Sequence, residues 1–419
     1  MIADATLERV LPARTVALVG DLIRGLLWGG VALTWLVFGQ IYARLWRLTL
    51  VDPSNSDFTI FYFTARLLAD GLPMYGASPA RYGIHWVADH LGNLNPPHFQ
   101  LVVQPLAWLT YQQAYVAWTA VSLTALTASV LLVVRALGGQ ITWRGLLIWG
   151  AVLMSAAPFT TVAVTSELTF LLLLPATLSW TEARKARWGA AGAWLGLCIS
   201  LKLFFLLFVP WLVLRRHWRT LGACAAVVAG TTALGLVVYG PRVYLQWFES
   251  LGTVGWWWLP MNASWQGLVA RTLEGSTAIT PLVHAPALVK PLAVIGAGVI
   301  CAATMWHTRG FDSGSRQIDT AFLLILLGAI LGSPLGWVYY LPLIVPPLAA
   351  VFTTGSWRVL PRPTLIALLL AAAGLYVPLE QAAANQPSAV VTVTMASVYF
   401  WSSVALWTGA LVLAKRVAA

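Results

Sequence analysis

Charged side chains are scarce in this chain of 419 residues, since Asp, Glu, Lys and Arg together make up only 9% of it. A soluble domain carries about 25% charged residues, so the composition excludes an ordinary soluble protein. The hydrophobic share is 59%, and several apolar runs exceed the roughly 18 to 20 residues that cross a hydrocarbon core. The predicted fold class is an all-α polytopic membrane protein.

Cysteine is also rare, and the three thiols have no spacing that suits a disulfide or a metal site. Cys198, Cys224 and Cys301 all lie inside apolar runs, which predicts buried packing. The sequence has no glycine-rich phosphate loop and no Gly-x-Ser-x-Gly motif. We therefore expect neither a bound metal nor another cofactor.

Acidic residues are fewer than basic ones, 14 against 25, and the formal net charge is +11. In a soluble protein this excess would suggest nucleic acid, but in a membrane protein it first indicates which loops are cytoplasmic. Most basic residues fall on one side when the N-terminus is placed inside. We expect an integral protein of a bacterial cell membrane, with a cytoplasmic N-terminus and no nucleic-acid partner.

Apolar runs predict eleven membrane segments. They lie at roughly 16–41, 112–134, 143–158, 163–180, 189–214, 220–239, 286–306, 318–332, 337–353, 364–379 and 391–414. Segment 189–214 has basic flanks at both ends, so both ends belong on the same side. It is therefore predicted to be a hairpin of two half-length helices with Lys202 near its tip, because a single tilted span would invert everything downstream.

This topology leaves two large outer loops, at about 42–111 and 240–285, within one membrane-embedded domain that covers 1–419. A structureless loop of that length is unusual, so each loop should contain short helices. The segment 57–70 is predicted to be one of them, with an apolar face and a stop at Gly71.

Asp57 is the first candidate for chemistry. Its alternative role is that of helix N-cap, since Asp is among the residues favoured there. However, four aromatic residues occur among the next six, and the segment is predicted to lie where a lipid-linked substrate would arrive. A carboxylate in such a half-apolar place can have a raised pKa and act as a general base toward a hydroxyl.

Lys202 and Glu167 are the next candidates, because each interrupts an apolar run. Lys202 is one of only four lysines, and a cation within a membrane segment marks a functional site by default. We expect it to bind an anionic phosphate, or else to pair with a buried carboxylate. Glu167 is either that partner or a contact to a sugar hydroxyl.

Further polar and aromatic groups are predicted in the second outer loop and near a later helix break. Asn262 and Arg271 form a polar cluster, and Trp337 and Tyr340 follow Ser333-Pro334. An interfacial aromatic belt is an equally good interpretation of Trp337 and Tyr340. His98 is predicted to be a capping or surface histidine.

Several motifs occur in a characteristic order. They are Asp57-Phe58 with Tyr62, Ala65-Arg66 and Gly71…Tyr75; Asn95-Pro96-Pro97…Gln104-Pro105-Leu106; Gly192…Leu195-Gly196-Leu197…Leu201-Lys202…Pro210; Asn262-Ala263-Ser264…Gly267…Arg271; and Ser333-Pro334…Trp337…Tyr340. In this order they resemble glycosyltransferase family 87, whose members are polyprenol-phosphate-sugar-dependent transferases of the GT-C type and include an α-1,2-mannosyltransferase. The match spans residues 50 to 350 or so. Family members often carry histidine where this chain has Tyr339 and Tyr340, and glutamine is common at the position of Glu167.

The resemblance implies a GT-C-like bundle of about 11 or 12 transmembrane helices, with short helices in two extracytoplasmic loops. It implies an inverting transfer of a sugar, mannose by default, from a polyprenyl-phosphate donor to a glycolipid or glycan acceptor at the extracytoplasmic membrane face. Asp57 would be the base. The substrate and phosphate contacts would come from Lys202, Arg271, Asn262, Glu167, Trp337, Tyr340 and Arg66, without a metal.

A transporter or flippase for a lipid-linked or small anionic substrate is the alternative hypothesis. Lys202 at a helix break favours it, because transporters bind their substrates at broken helices. The lack of an internal repeat and the clustering of polar candidates in the outer loops favour the enzyme. An assembly or scaffold subunit with a degenerate site is a third possibility.

Overall fold

A computed structural model describes residues 13–76, 92–276, 278–311, 314–377 and 388–418. In the described part, sixteen α-helices of seven residues or more form the molecule, and the isolated β-bridge between Asn262 and Trp337 lies outside any strand. In chain order the helices are α1 Ala13–Val51, α2 Asp57–Ala69, α3 Tyr111–Ala136, α4 Trp143–Met154, α5 Ala157–Thr165, α6 Thr169–Arg184, α7 Trp188–Leu201, α8 Phe208–Leu214, α9 Trp218–Tyr239, α10 Pro241–Gly252, α11 Trp265–Leu273, α12 Val289–Thr308, α13 Ser315–Gly332, α14 Val345–Thr353, α15 Arg362–Gly374 and α16 Val398–Val417.

Shorter helical turns connect these helices. They are Pro53–Asn55, Pro97–Phe99, Gln100–Val103, Gln104–Trp108, Leu203–Leu207, Pro286–Leu288, Val338–Ile344, Ser356–Val359, Ala389–Val393 and Met395–Ser397. The predicted class of all-α polytopic membrane protein is confirmed. The central part of the first predicted outer loop, residues 77–91, lies outside the described residues.

Among the described residues, fewer helices are long enough to span a membrane than the 11 or 12 that the resemblance implies. Six apolar helices of this part of the chain are long enough to cross a membrane, and α4 with α5 makes a seventh if this pair, bent by 77°, counts as one. Other predicted spans consist of shorter apolar helices. They are Trp188–Leu201, Leu203–Leu214, Val338–Thr353 and Arg362–Gly374. Hydropathy alone does not register such breaks, because the residues on both sides of each break are equally apolar.

Two predicted boundaries also differ from the structure. The first helix ends at Val51 and not near Ile41, because nothing in its sequence breaks a helix before Asp52 and Pro53. The predicted spans 143–158 and 163–180 are divided differently, since α5 runs to Thr165 and the chain turns at Ser166.

The predicted hairpin at 189–214 is confirmed by its contacts. Gly192 packs on Thr220, and the Ser200 hydroxyl lies 2.8 Å from that of Thr231, so α7 and α9 run parallel. The intervening segment must therefore return to the side from which α7 starts. The His217 ring, just before α9, accordingly stacks on Trp188 at 4.0 Å between ring centroids and contacts Trp211 at 6.0 Å.

A layer of short elements covers the end of the bundle where α1 ends and α3 begins, which we call the site end. Helix α2 is capped by Ser56, whose hydroxyl accepts from the Phe58 N–H and donates to the Thr165 carbonyl. Its aromatic residues pack against α3, with Phe58 5.5 Å from Tyr115 and 5.6 Å from Trp118 between ring centroids. This packing fixes the first turn of α2 against the loop that carries Glu167.

Candidate active site

A cavity of about 450 Å³ lies at the site end of the bundle. Its wall is assembled from segments that are distant in the sequence. They are the start of α2, residues 92–96, residues 165–167, the break between α7 and α8, the end of α10 with residues 254–261, and residues 333–340. Five of the predicted site residues line it, namely Asp57, Glu167, Lys202, Trp337 and Tyr340.

Asp57 is the first residue of α2 and not its cap, because Ser56 fills the capping position. The Asp57 carboxylate therefore has no capping bond to make, and no described residue forms a hydrogen bond or ion pair with it. Burial, followed by the negative charge of Glu167, raises the pKa of Asp57 to about 8, while the Lys202 ammonium opposes the rise. A carboxylate with a pKa near neutrality that faces a cavity can accept a proton from a substrate hydroxyl.

Lys202 occupies the break between α7 and the Leu203–Leu207 turn, and its ammonium reaches into the same cavity. Its Nζ lies 2.8 Å from Glu167 Oε1 and donates to Asn95 Oδ1 at 3.1 Å. The Glu167 side chain is 4% exposed and that of Lys202 is 17% exposed. A pair this deeply placed needs good geometry to balance the desolvation of both ions, and the Asn95 oxygen satisfies a further proton of the ammonium. The Tyr340 side chain contacts the same ammonium, so three neighbouring groups surround Lys202 at the cavity wall.

Glu167 is aimed at Lys202 by an unusual turn. Ser166, the preceding residue, has a φ of 52°, in the left-handed region that a serine seldom adopts. Two side chains of α3 hold it there. Trp118 Nε1 donates to the Ser166 carbonyl at 2.8 Å, and the Tyr115 and Ser166 hydroxyls lie 2.9 Å apart. The strain of this turn is thus balanced by contacts that fix the direction of the Glu167 side chain.

Aromatic residues form the wall facing the ion pair. The Tyr340 hydroxyl donates to Glu167 Oε1 at 3.4 Å, and Lys202 Nζ lies 5.6 Å from the centroid of the Tyr340 ring. Trp337 stacks on Trp256 with their ring centroids 5.4 Å apart. Flat apolar faces beside a few polar groups are suited to hold the ring of a sugar while hydrogen bonds select its hydroxyls.

Asn262, which was predicted to line the site, instead joins the two loops that form this wall. Its amide nitrogen donates to the carbonyls of Trp257 and Pro334, each at 3.0 Å. Its Oδ1 accepts from the N–H groups of Ser264 at 3.2 Å and Gly336 at 3.1 Å. The amide is fully buried, and these four bonds use its whole hydrogen-bonding capacity. The structure therefore gives Asn262 a positioning role.

Arg271 and Arg66 also lie outside the cavity wall. Arg271 is completely buried and donates to the carbonyls of Leu259 at 2.9 Å and Asn262 at 3.0 Å. Arg66 donates from its Nη1 to the Ala107 carbonyl at 2.9 Å. Both guanidinium groups stabilise backbone around the cavity, and neither is placed to bind a phosphate beside Lys202.

The segment before the turn Pro97–Phe99 contributes a site residue that sequence reasoning missed. Asn95 lines the cavity and contacts Lys202, while the Tyr75 hydroxyl donates to its carbonyl at 2.6 Å. The sequence contains this residue in an Asn-Pro-Pro motif, but no local pattern indicates that the asparagine contacts Lys202. His98, predicted to be a cap or surface residue, is half-buried. Its Nε2 lies 2.7 Å from the Ser200 carbonyl, and because a carbonyl only accepts, that nitrogen carries the proton.

The described residues hold no group of three or more His, Cys, Asp or Glu side chains that could bind a metal ion. The described cavity wall offers the Asp57 carboxylate, the Lys202–Glu167 ion pair and a set of aromatic faces. A comparison with protein-family models now decides the class, because the model of glycosyltransferase family 87 matches residues 93–335. The chain belongs to this family. It is a membrane glycosyltransferase, and the family assignment gives the transporter alternative no support.

Curated relatives of this glycosyltransferase include mycobacterial enzymes. The polyprenol-phosphate-mannose-dependent α-(1-2)-phosphatidylinositol mannoside mannosyltransferase of Mycobacterium tuberculosis is 27% identical over 80% of this chain and 78% of its own length. A polyprenol-phosphate-mannose-dependent α-(1-2)-phosphatidylinositol pentamannoside mannosyltransferase of Mycolicibacterium smegmatis is 23% identical over 60% of this chain and 58% of its own length. No solved structure matches this glycosyltransferase significantly.

Proposed function

We propose that this family 87 enzyme transfers a hexose, mannose by default, from a polyprenyl-phosphate donor to a hydroxyl group of a glycolipid or glycan acceptor. The observation that carries the proposal is the presence of one carboxylate with a raised pKa and one ammonium in the same cavity, Asp57 and Lys202. The printed activities of the mycobacterial relatives support the choice of donor.

The proposed reaction is a single inverting displacement. The acceptor oxygen attacks the anomeric carbon and its proton passes to Asp57, while the bond between that carbon and the phosphate oxygen breaks. Negative charge gathers on the leaving polyprenyl phosphate, and Lys202 stabilises it from within a site of low polarity. Trp337 and Tyr340 line the sugar pocket, and Glu167 orients Lys202 or contacts a sugar hydroxyl.

Several further assignments are part of the proposal. The whole chain, 1–419, is one transferase domain in a bacterial inner membrane, with its N-terminus in the cytoplasm and its active site on the extracytoplasmic side. Support comes from the basic residues of the loops that this orientation places inside. Asn262, Arg271 and Arg66 support this reaction indirectly. Their hydrogen bonds hold the backbone of the loops around the sugar pocket.

The test is the transfer of radiolabelled mannose from polyprenyl-phosphate mannose by purified protein in nanodiscs, with wild type beside Asp57→Asn. Asp70→Asn is the matched control, because Asp70 is an exposed residue at the other end of the same helix. We expect label in the acceptor with wild type and control only. Equal transfer by Asp57→Asn would remove Asp57 from the role of base. No transfer by wild type, from this donor or from other lipid-phosphate sugars, would refute the proposed reaction.

A further inference from the structure

A second, larger recess runs along the outside of the bundle next to the active site. It has a volume of about 1060 Å³ and lies between α1, α3, α4 and α5, and we call it the α1–α3 groove. Its wall is almost entirely aliphatic and aromatic. The groove residues include Trp46, Tyr115, Thr127, Trp143 and Phe159.

The groove and the active site share one side chain. Glu167 lines both, and the groove also contains Ser166 with the two α3 residues that hold it, Tyr115 and Trp118. Glu167 Oε1 is 2.8 Å from Lys202 Nζ. Only the Glu167 side chain therefore separates the end of the groove from Lys202, the only cation that lines the described cavity.

The groove follows the helices for much of the depth of a membrane. Trp35 Nε1 donates to the Leu147 carbonyl and the Tyr42 hydroxyl to the Met154 carbonyl, each at 2.9 Å, so α1 and α4 run parallel along its sides. On α3 it extends from Tyr115 to Leu131, which at 1.5 Å per residue is about 24 Å. One leaflet of hydrocarbon is about 15 Å thick. The groove is therefore longer than the depth that an acyl chain spans when it stays within one leaflet.

Charge decides which part of a lipid fits. No lysine or arginine is among the described residues that line the groove, so these residues provide no cation that could bind a phosphate. The polar end of the groove is a carboxylate, Glu167. A phosphate must instead lie on the cavity side, at Lys202, with its hydrocarbon passing Glu167 into the groove. A lipid with one long chain attached directly to its phosphate fits this arrangement.

We propose that the α1–α3 groove binds the isoprenoid chain of the donor lipid and makes the enzyme sensitive to the length of that chain. This inference rests on the proposed function for the identity of the donor. Tyr115 and Trp118 line the groove and also hold Ser166, so a chain bound in the groove affects the position of the Glu167 side chain. An occupied groove holds the turn in place, and with it the acceptor for the Lys202 ammonium.

Two threonines of α3 supply a matched pair of variants. Both are exposed, and each hydroxyl donates to the carbonyl four residues earlier at 2.8 Å. Thr127 lines the groove and Thr124 does not. Thr127 lies twelve residues beyond Tyr115, or about 18 Å further along the helix. Thr127→Trp should block the far part of the groove, and Thr124→Trp should not.

The kinetic test uses donors with isoprenoid chains of increasing length. With wild type and Thr124→Trp, the KM for the donor should fall as the chain lengthens. With Thr127→Trp, the KM for long donors should rise about tenfold, a modest factor because the chain leaves lipid and gains only packing contacts. Donors short enough to end before Thr127 should be transferred equally by all three proteins. An unchanged length dependence in Thr127→Trp, or a rise in the acceptor KM alone, would overturn the proposal.

A binding experiment separates this inference from the proposed reaction. Polyprenyl phosphate with a photoreactive group at the far end of its chain carries no sugar, so its capture requires no transfer. Cross-links should map to α3 and α4 in wild type and be lost in Thr127→Trp but not in Thr124→Trp. Cross-links confined to other helices would overturn the groove assignment, whatever the transfer assay shows.

Discussion

The pH dependence of transfer is the sharpest consequence of the Asp57 environment. With the pKa of Asp57 at about 8, roughly one carboxyl group in ten is ionised at pH 7 and nine in ten at pH 9. A base must be ionised to accept a proton, so kcat/KM should rise about tenfold over this interval. The assay is the initial rate of transfer at limiting donor in nanodiscs between pH 6 and pH 9.5, with donor integrity checked at each pH.

Two variants test whether Asp57 is the group that titrates. Glu167→Gln removes a negative neighbour and should move the inflection to lower pH, because the charge of Glu167 raises the pKa of Asp57. Asp70→Asn should leave the inflection where it is. A profile that is flat from pH 6 to pH 9, or one that titrates only near pH 4, would refute the reasoning.

The same pKa shift has a consequence for stability. The folded state holds the Asp57 proton more tightly than the unfolded state, so ionisation between about pH 4 and pH 8 disfavours folding. Asp57→Asn should therefore melt at a higher temperature than wild type at pH 9, with a smaller difference at pH 5. A variant less stable than wild type at pH 9 would contradict this account.

Three further predictions concern Lys202 and the loops that support the cavity wall. Lys202→Met should lower the free energy of unfolding by about 3 to 5 kcal/mol, because it leaves the buried Glu167 carboxylate unpaired, and adding Glu167→Gln should recover part of the loss. Thermal unfolding of both proteins in detergent measures this, and an unstable double variant would argue against the pairing. Asn262→Ala removes four hydrogen bonds and should cost about 3 kcal/mol, seen as a lower melting temperature together with reduced activity. Gly336→Ala should also lower the melting temperature, because a Cβ there would overlap the Ile330 carbonyl. Gly298→Ala, a helical position with open space, should be neutral or stabilising by up to about 1 kcal/mol.

The scarcity of charge is what made the core of the site predictable. In a chain with so few ions, a charged residue that interrupts an apolar or aromatic run is conspicuous, and Asp57, Glu167 and Lys202 indeed face one cavity. The buried pair of Arg184 and Asp319 was not recognised in this way. The sequence left open whether Glu167 pairs with Lys202 or binds a sugar, and the 2.8 Å distance shows the pair. Their roles in catalysis remain predictions.

The supporting residues were less predictable because a polar residue in a loop does not reveal what it faces. Asn262 and Arg271 occur in a polar cluster, as a sugar pocket would require, but most of their hydrogen bonds join them to the backbone of neighbouring loops. Asn95 was missed for the opposite reason. Its contact with Lys202 joins residues more than a hundred positions apart, and no local pattern encodes such a distance.

The hairpin that carries Lys202 has a consequence for the assembly of the protein in a membrane. Its exposed backbone and its ammonium need partners at the moment they enter the bilayer. Glu167 and Asn95 are both synthesised earlier, so the cation meets its acceptors as soon as the hairpin inserts. Tyr340 arrives much later, with the last third of the chain. Until then the site lacks part of its wall. A chain truncated before Ser333 should insert with its charges paired but without the aromatic wall that completes the cavity.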